Sequence, residues 1–186
     1  MGLMEKLSLW LGGGRVEATV LLLGLDNSGK SSLLQALRAA NPTPPSEQDL
    51  FTGGGVTFRA CDAPGAARMR ALWERHFSRA DAIVFVVDAA DHLRLVVARE
   101  ELQLALAHPA LRPRRLPLLV LANKSDSPHA LSAAHVAAAL GLERVGDKPW
   151  HICATSAVSG AGLADGVAWL ARQLRDQHAH RKASNS

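Results

Sequence analysis

Disulfide chemistry has almost nothing to work with in this chain. Its two cysteines, Cys61 and Cys153, stand far apart in apolar, strand-like segments and read as reduced, buried thiols of a cytosolic protein. No apolar run approaches a membrane span, and no secretory signal is legible. Aromatic residues make up 4% of the chain and the basic residues are scattered, so no nucleic-acid reader is indicated. His76, His92 and His151 fall at no metal-ligand spacing and read as packing or surface residues. No internal repeat is visible. What remains is 186 residues, 48% hydrophobic and 20% charged, long enough for one domain with a well-buried core. The net charge of +4 permits contact with an anionic surface without demanding it.

Residues 24–31 (GLDNSGKS) are the stretch the rest of the chain serves. They fit the phosphate-loop pattern G-x-x-x-x-G-K-[ST], in which successive backbone N–H groups line a nest for an anion. Gly29 admits the phosphates closely, Lys30 sets an ammonium against the outer ones, and the Ser31 hydroxyl suits Mg²⁺. The context is the required one. Residues 16–23 (VEATVLLL) read as a buried strand, and residues 31–40 as a helix with Leu33, Leu34 and Leu37 on one face. The helix N-terminus adds positive potential.

Further along, residues 49–52 and 56–61 flank Gly53, Gly54 and Gly55 as a hairpin. Residues 69–77 form a short helix carrying Trp73. Strands are expected at 82–87, 116–122 and 150–154, with helices at 92–107, 132–140 and 163–175. The 92–107 helix takes Leu93, Val96, Val97, Leu102, Leu104 and Leu106 as apolar positions. This alternation specifies an α/β fold, a mainly parallel six-stranded sheet with helices on both faces. Ligands in such folds bind beyond the C-terminal strand ends, where all the motifs sit. The chain divides into residues 1–14, an amphipathic helix and glycine hinge; 15–176, the nucleotide-binding domain; and 177–186, a basic tail read as disordered.

Residues 1–11 place Leu3, Met4, Leu7, Trp10 and Leu11 on one side of a helix. Two readings stand: a membrane-surface anchor through Leu3, Leu7, Trp10 and Leu11, or a helix packed permanently on the domain. Lys6 occupies the place where a myristoylation signal at Gly2 wants Ser or Thr. Arg112, Arg114 and Arg115 read as a solvated loop.

Four strand-end motifs in this order resemble a guanine-nucleotide-binding protein of the Ras-like superfamily. They are the phosphate loop, Asp62-x-x-Gly65, Asn123-Lys124-Ser125-Asp126 and Ser156-Ala157-Val158. Asp26 and the Leu72-Trp73 pair narrow the likeness to the ADP-ribosylation-factor-like family. The resemblance implies a P-loop GTPase fold and binding of GTP or GDP with Mg²⁺. It assigns nucleotide contacts to Asp26, Asn27, Ser28, Gly29, Lys30, Ser31, Ser32, Gly65, Asn123, Lys124, Asp126, Ser156 and Ala157. Ser31, Thr43 and Asp62 would serve the metal, Gly65 N–H the γ-phosphate, and Trp73 the effector face. An Asp126 carboxylate accepts two N–H bonds from guanine, whereas adenine offers the wrong pattern. Within the family the likeness runs to the branch that recruits a coat to ciliary membranes. This implies a peripheral, cytoplasmic protein at the cilium or basal body, monomeric, with a coat effector, an exchange factor and an activating protein as partners.

Residues 41–70 depart from that family. Ala66 stands where the family carries the glutamine that orients the attacking water, so hydrolysis is expected to be slow or absent. Thr43 is followed by Pro44, Pro45 and Ser46 rather than the family's Ile-Gly-Phe, and reads either as a metal ligand or as a proline-stiffened connector. The alternative to a working switch is a pseudo-GTPase that holds nucleotide statically or not at all. A nucleotide kinase fits less well, because no arginine-rich lid is evident.

Overall fold

The computed structural model describes residues 16–40 and 50–184. The expected N-terminal helix with Leu3, Leu7, Trp10 and Leu11, the glycine hinge, and the proline-rich loop with Thr43 lie outside them.

A β-branched, aliphatic run makes β1 (Val16–Leu23), and the phosphate loop turns the chain into α1 (Lys30–Ala40). The hairpin follows as β2 (Leu50–Gly53) and β3 (Val56–Asp62). A 3₁₀ segment, Ala67–Trp73, runs into the short α2 (Glu74–Phe77). Then come β4 (Ala82–Asp88), α3 (Leu95–Ala107), β5 (Leu118–Asn123), α4 (Ala133–Leu140), β6 (Trp150–Ala154) and α5 (Leu163–Ser184). The six strands order as β2-β3-β1-β4-β5-β6. Every pairing is parallel except β2 with β3. The expected fold class is the observed one.

Strand alternation divides the core between the two faces of the sheet. Leu21, Leu23, Ile83, Phe85, Leu118 and Val120 face α3 and α4, where Leu102, Val136 and Leu140 cover them. Val20, Leu22, Val84, Val86, Leu119 and Leu121 face α1 and α5, under Leu33, Leu34, Leu170 and Leu174. The central strands are buried on both faces, which is why they read as unbroken aliphatic runs. Truncating Phe85, fully buried, to alanine costs about 3–5 kcal/mol. Strand β5 starts after Pro117, which lacks an N–H for the ladder but accepts from Ile83 N at 3.0 Å.

Four expectations need correction. Residues 177–184 are helical, continuing α5, because nothing from Asp176 to Ser184 is glycine or proline and Gln177 Nε2 ties the helix to Arg115 O at 2.8 Å. On α3 the buried stripe is Leu95, Ala98, Leu102 and Ala105, at true helical spacing. Leu93, Val96 and Leu104 therefore point outward, at 91%, 63% and 69% exposure. Cys61 is half-buried rather than buried; Cys153 is buried, and both are free. Arg114 is no solvated loop residue: its guanidinium donates to Phe77 O (3.1 Å) and Ala80 O (2.7 Å), closing the end of α2. Buried Lys148 holds the same loop through Arg112 O and Arg114 O, at 3.1 and 2.8 Å.

Candidate functional site: a nucleotide cradle at the strand ends

The C-terminal ends of β1, β3, β4, β5 and β6 all lie on one edge of the sheet, and each contributes a polar loop. Within the phosphate loop, Lys30 is buried and donates to Gly24 O (2.9 Å) and Leu25 O (3.0 Å), so its ammonium sits inside the turn. Burial holds that ammonium below lysine's usual range, while the Asp62 and Asp26 carboxylates pull it back up. Such a cation, short of counter-charge and enclosed by amides, is what a phosphate would satisfy.

The loops are tied to one another. Asn123 Nδ2 donates to Ser28 O at 3.0 Å, bringing β5 onto the phosphate loop. Its amide lies so close to Gly29 that a Cβ there would stand 2.2 Å from Nδ2, and Gly29 also has φ of +96°. Only glycine fits both demands. Lys124 Nζ donates to Asn27 O at 2.8 Å and pairs with Asp88 at 2.7 Å. Asn27 and Lys124 both adopt left-handed backbone, φ 61° and 63°, unusual for residues with side chains and common where loops are built for function. Asp126 is exposed at the rim and carries no hydrogen bond or ion pair among the described residues. Ser125 N donates to Thr155 O at 3.0 Å, so the 123–126 loop carries the 155–157 loop beside it. There Ser156 is buried and Ala157 half-buried.

Ser31 Oγ and Asp62 Oδ2 lie 3.1 Å apart at the start of α1 and the end of β3. Two hard oxygen donors facing one point fit a magnesium ion, which would neutralise phosphate oxygens there. Ser32 is exposed next to them. Gly65 is buried against the phosphate loop: its carbonyl accepts from Asp26 N at 3.0 Å. Sequence reasoning placed the phosphate loop, Asp62, Gly65, residues 123–126 and residues 156–157 after strand ends, and the structure brings them onto one edge of the sheet.

With these loops in place, the likeness to known proteins has a structural basis. The ADP-ribosylation factor family matches residues 3–174. The chain belongs to that family. It is 47% identical over 182 residues to ADP-ribosylation factor-like protein 6 of Danio rerio, spanning 94% of this chain and 98% of that protein. The protein of the same name from Caenorhabditis briggsae is 33% identical over 192 residues, spanning 98% and 100%. Among solved structures, the Arl6 BBS3 small GTPase of Trypanosoma brucei, with the nucleotide analogue GppNp bound, superposes with a TM-score of 0.78. That match has 34% identity and covers 87% of this chain and 99% of the other. The ADP-ribosylation factor family member described here is thus a small GTPase by fold and by sequence.

Three residues of the family member's site escaped the sequence reading. Asp88 anchors Lys124; its place at a strand end was the available signal. Arg94 and Arg70 surround Asp26, with Arg94 Nη2 at 2.5 Å and Arg70 Nη2 at 3.8 Å from Oδ1. Nothing in local spacing announces those pairs. Trp73, read as part of an effector face, is only 3% exposed. Its indole N–H is used internally, donating to Pro64 O at 2.7 Å.

Proposed function

We propose that this protein is a guanine-nucleotide switch that recruits a coat-type effector to membranes in ciliary or vesicular trafficking and hydrolyses GTP slowly. The observation that carries the reading is the convergence of Lys30, Asn123, Lys124 and an unpaired Asp126 on one edge of the sheet. Asp126 and the 156–157 loop would recognise the base, the phosphate loop the phosphates, and Ser31 with Asp62 the magnesium ion. The output is binding. The second switch segment around Trp73, with Met69 exposed on it, would form part of the effector face. Among the described residues no helix is long and apolar enough to cross a membrane. Attachment would therefore be peripheral, through Leu3, Leu7, Trp10 and Leu11, assisted by the net positive charge. An exchange factor and an activating protein would set the cycle of a monomer.

Slow hydrolysis rests on Ala66, whose methyl group cannot orient water. The same residue favours the second reading, a pseudo-GTPase. Vesicle flotation with the protein loaded with GDP or a non-hydrolysable GTP analogue, alongside single-turnover GTP hydrolysis, tests both. Flotation only in the GTP-analogue state supports a membrane switch; nucleotide-independent partitioning contradicts it.

A further inference from the structure

Between β3 and the 3₁₀ segment, one backbone donor is paired among the described residues. Ala63 N–H is paired with Leu22 O at 3.2 Å. Pro64 has no N–H. Gly65 N–H has no partner among the described residues. Like Ala66 N–H, it is left without a partner among the described residues, and it lies in a residue packed directly against the phosphate loop. A Cβ on Gly65 would stand 2.4 Å from Asp26 N and 2.6 Å from Gly24 O.

An unpaired amide next to a phosphate site is useful only if it is aimed. In a trans peptide the N–H points opposite to the carbonyl of the same unit. The unit carrying Gly65 N–H is the Pro64–Gly65 peptide, and its carbonyl is the one that accepts the Trp73 indole N–H at 2.7 Å. The next unit is held as well: Gly65 O accepts from Asp26 N at 3.0 Å and from Arg70 Nε at 2.9 Å. Trp73 is buried in the same core cluster as Phe77 and Leu95, so its indole is a rigid donor rather than a rotating one.

We propose that Trp73 is a positioning residue for γ-phosphate recognition, its indole N–H fixing the peptide unit whose other end presents Gly65 N–H to the nucleotide. This rests on the guanine-nucleotide reading above. It gives the buried tryptophan a job that its hydrophobic volume alone does not require, since phenylalanine would fill most of the space.

The test compares GDP and a non-hydrolysable GTP analogue in Mg²⁺ for the full chain and for Trp73→Phe, which keeps a ring and removes the donor. GTP-analogue affinity should fall about tenfold, the scale of one aimed hydrogen bond to a charged group, with GDP affinity changed less than about twofold. Phe77→Leu, in the same cluster, should lower thermal stability and leave the GTP-to-GDP ratio alone. An unchanged ratio in Trp73→Phe overturns the assignment while leaving the nucleotide switch intact. Absence of any nucleotide binding by the unmutated chain removes both. Should Trp73→Phe not fold, the unmutated chain decides. Its Trp73 indole N–H, assigned by elimination with Trp10→Phe, Trp150→Phe and Trp169→Phe, should resist hydrogen exchange with the GTP analogue bound. Rapid exchange in that state contradicts the proposal.

Discussion

Arg94 grips Asp26 at two points, Nη2 on the carboxylate at 2.5 Å and Nη1 on the carbonyl at 3.0 Å. A carboxylate in a phosphate-binding loop is a charge conflict, and this pair resolves it. Arg94→Ala should weaken nucleotide binding by about three- to tenfold at low salt, with the loss shrinking as salt screens the exposed carboxylate. Asp26→Asn in the same background should restore affinity. Nucleotide dissociation rates of the unmutated chain, Arg94→Ala and the double variant measure it.

The same pair has a pH signature. The Arg94 hydrogen bond holds the Asp26 carboxyl below the usual carboxylate range. A depressed folded-state pKa stabilises above the unfolded value, about 3.9, and that stability is lost as pH falls through the folded one. The carboxylate is half exposed, so the contribution stays below about 1 kcal/mol. Urea denaturation of the unmutated chain and Arg94→Ala should therefore differ at neutral pH and converge as pH falls through the lowered folded-state value of Asp26.

Gly29→Ala should be severe. The added methyl meets Asn123 Nδ2 at 2.2 Å, and the backbone there has φ of +96°. Loss of about 2 kcal/mol or more in thermal or chemical denaturation is expected, together with loss of nucleotide binding. Adding Asn123→Ala relieves the contact but not the backbone, so only part of the stability should return.

Asp88→Asn removes the carboxylate that steadies Lys124 at 2.7 Å while preserving shape. Nucleotide should dissociate about fivefold faster, with little change in melting temperature. Lys124→Met should have a similar effect, and the two together should cost less than their sum, because they break one interaction.

Ala66→Gln restores a side chain able to orient water next to Gly65. Single-turnover hydrolysis should rise at least about tenfold, with GDP affinity unchanged. A flat rate would place the slow step elsewhere than at residue 66.

Much of this arrangement was legible in the chain before any coordinates. Buried parallel strands announce themselves as runs such as AIVFVV, and strand-end motifs fall on one edge once the sheet is parallel. What escaped depends on contacts between distant residues. Arg94 meets Asp26 across 68 positions, and Arg114 closes α2 from 37 positions away. The exposed Leu93, Val96 and Leu104 were misread because an aliphatic-rich helix offers more apolar residues than its buried stripe can use. Trp73, assigned to the effector face by resemblance alone, is buried, and its indole N–H serves the Pro64 carbonyl; no local spacing announces that bond across nine positions. The helical continuation past Arg175 was missed because a polar, basic run lacks a buried face to signal it.

The most direct measurement is titration of the purified full chain with fluorescent GDP and a non-hydrolysable GTP analogue, with and without Mg²⁺. Tight binding of both, strengthened by Mg²⁺ and abolished by Lys30→Ala or Asp126→Asn, is the expected result. No binding of either nucleotide would contradict the assignment and leave a GTPase fold used only as an interaction surface.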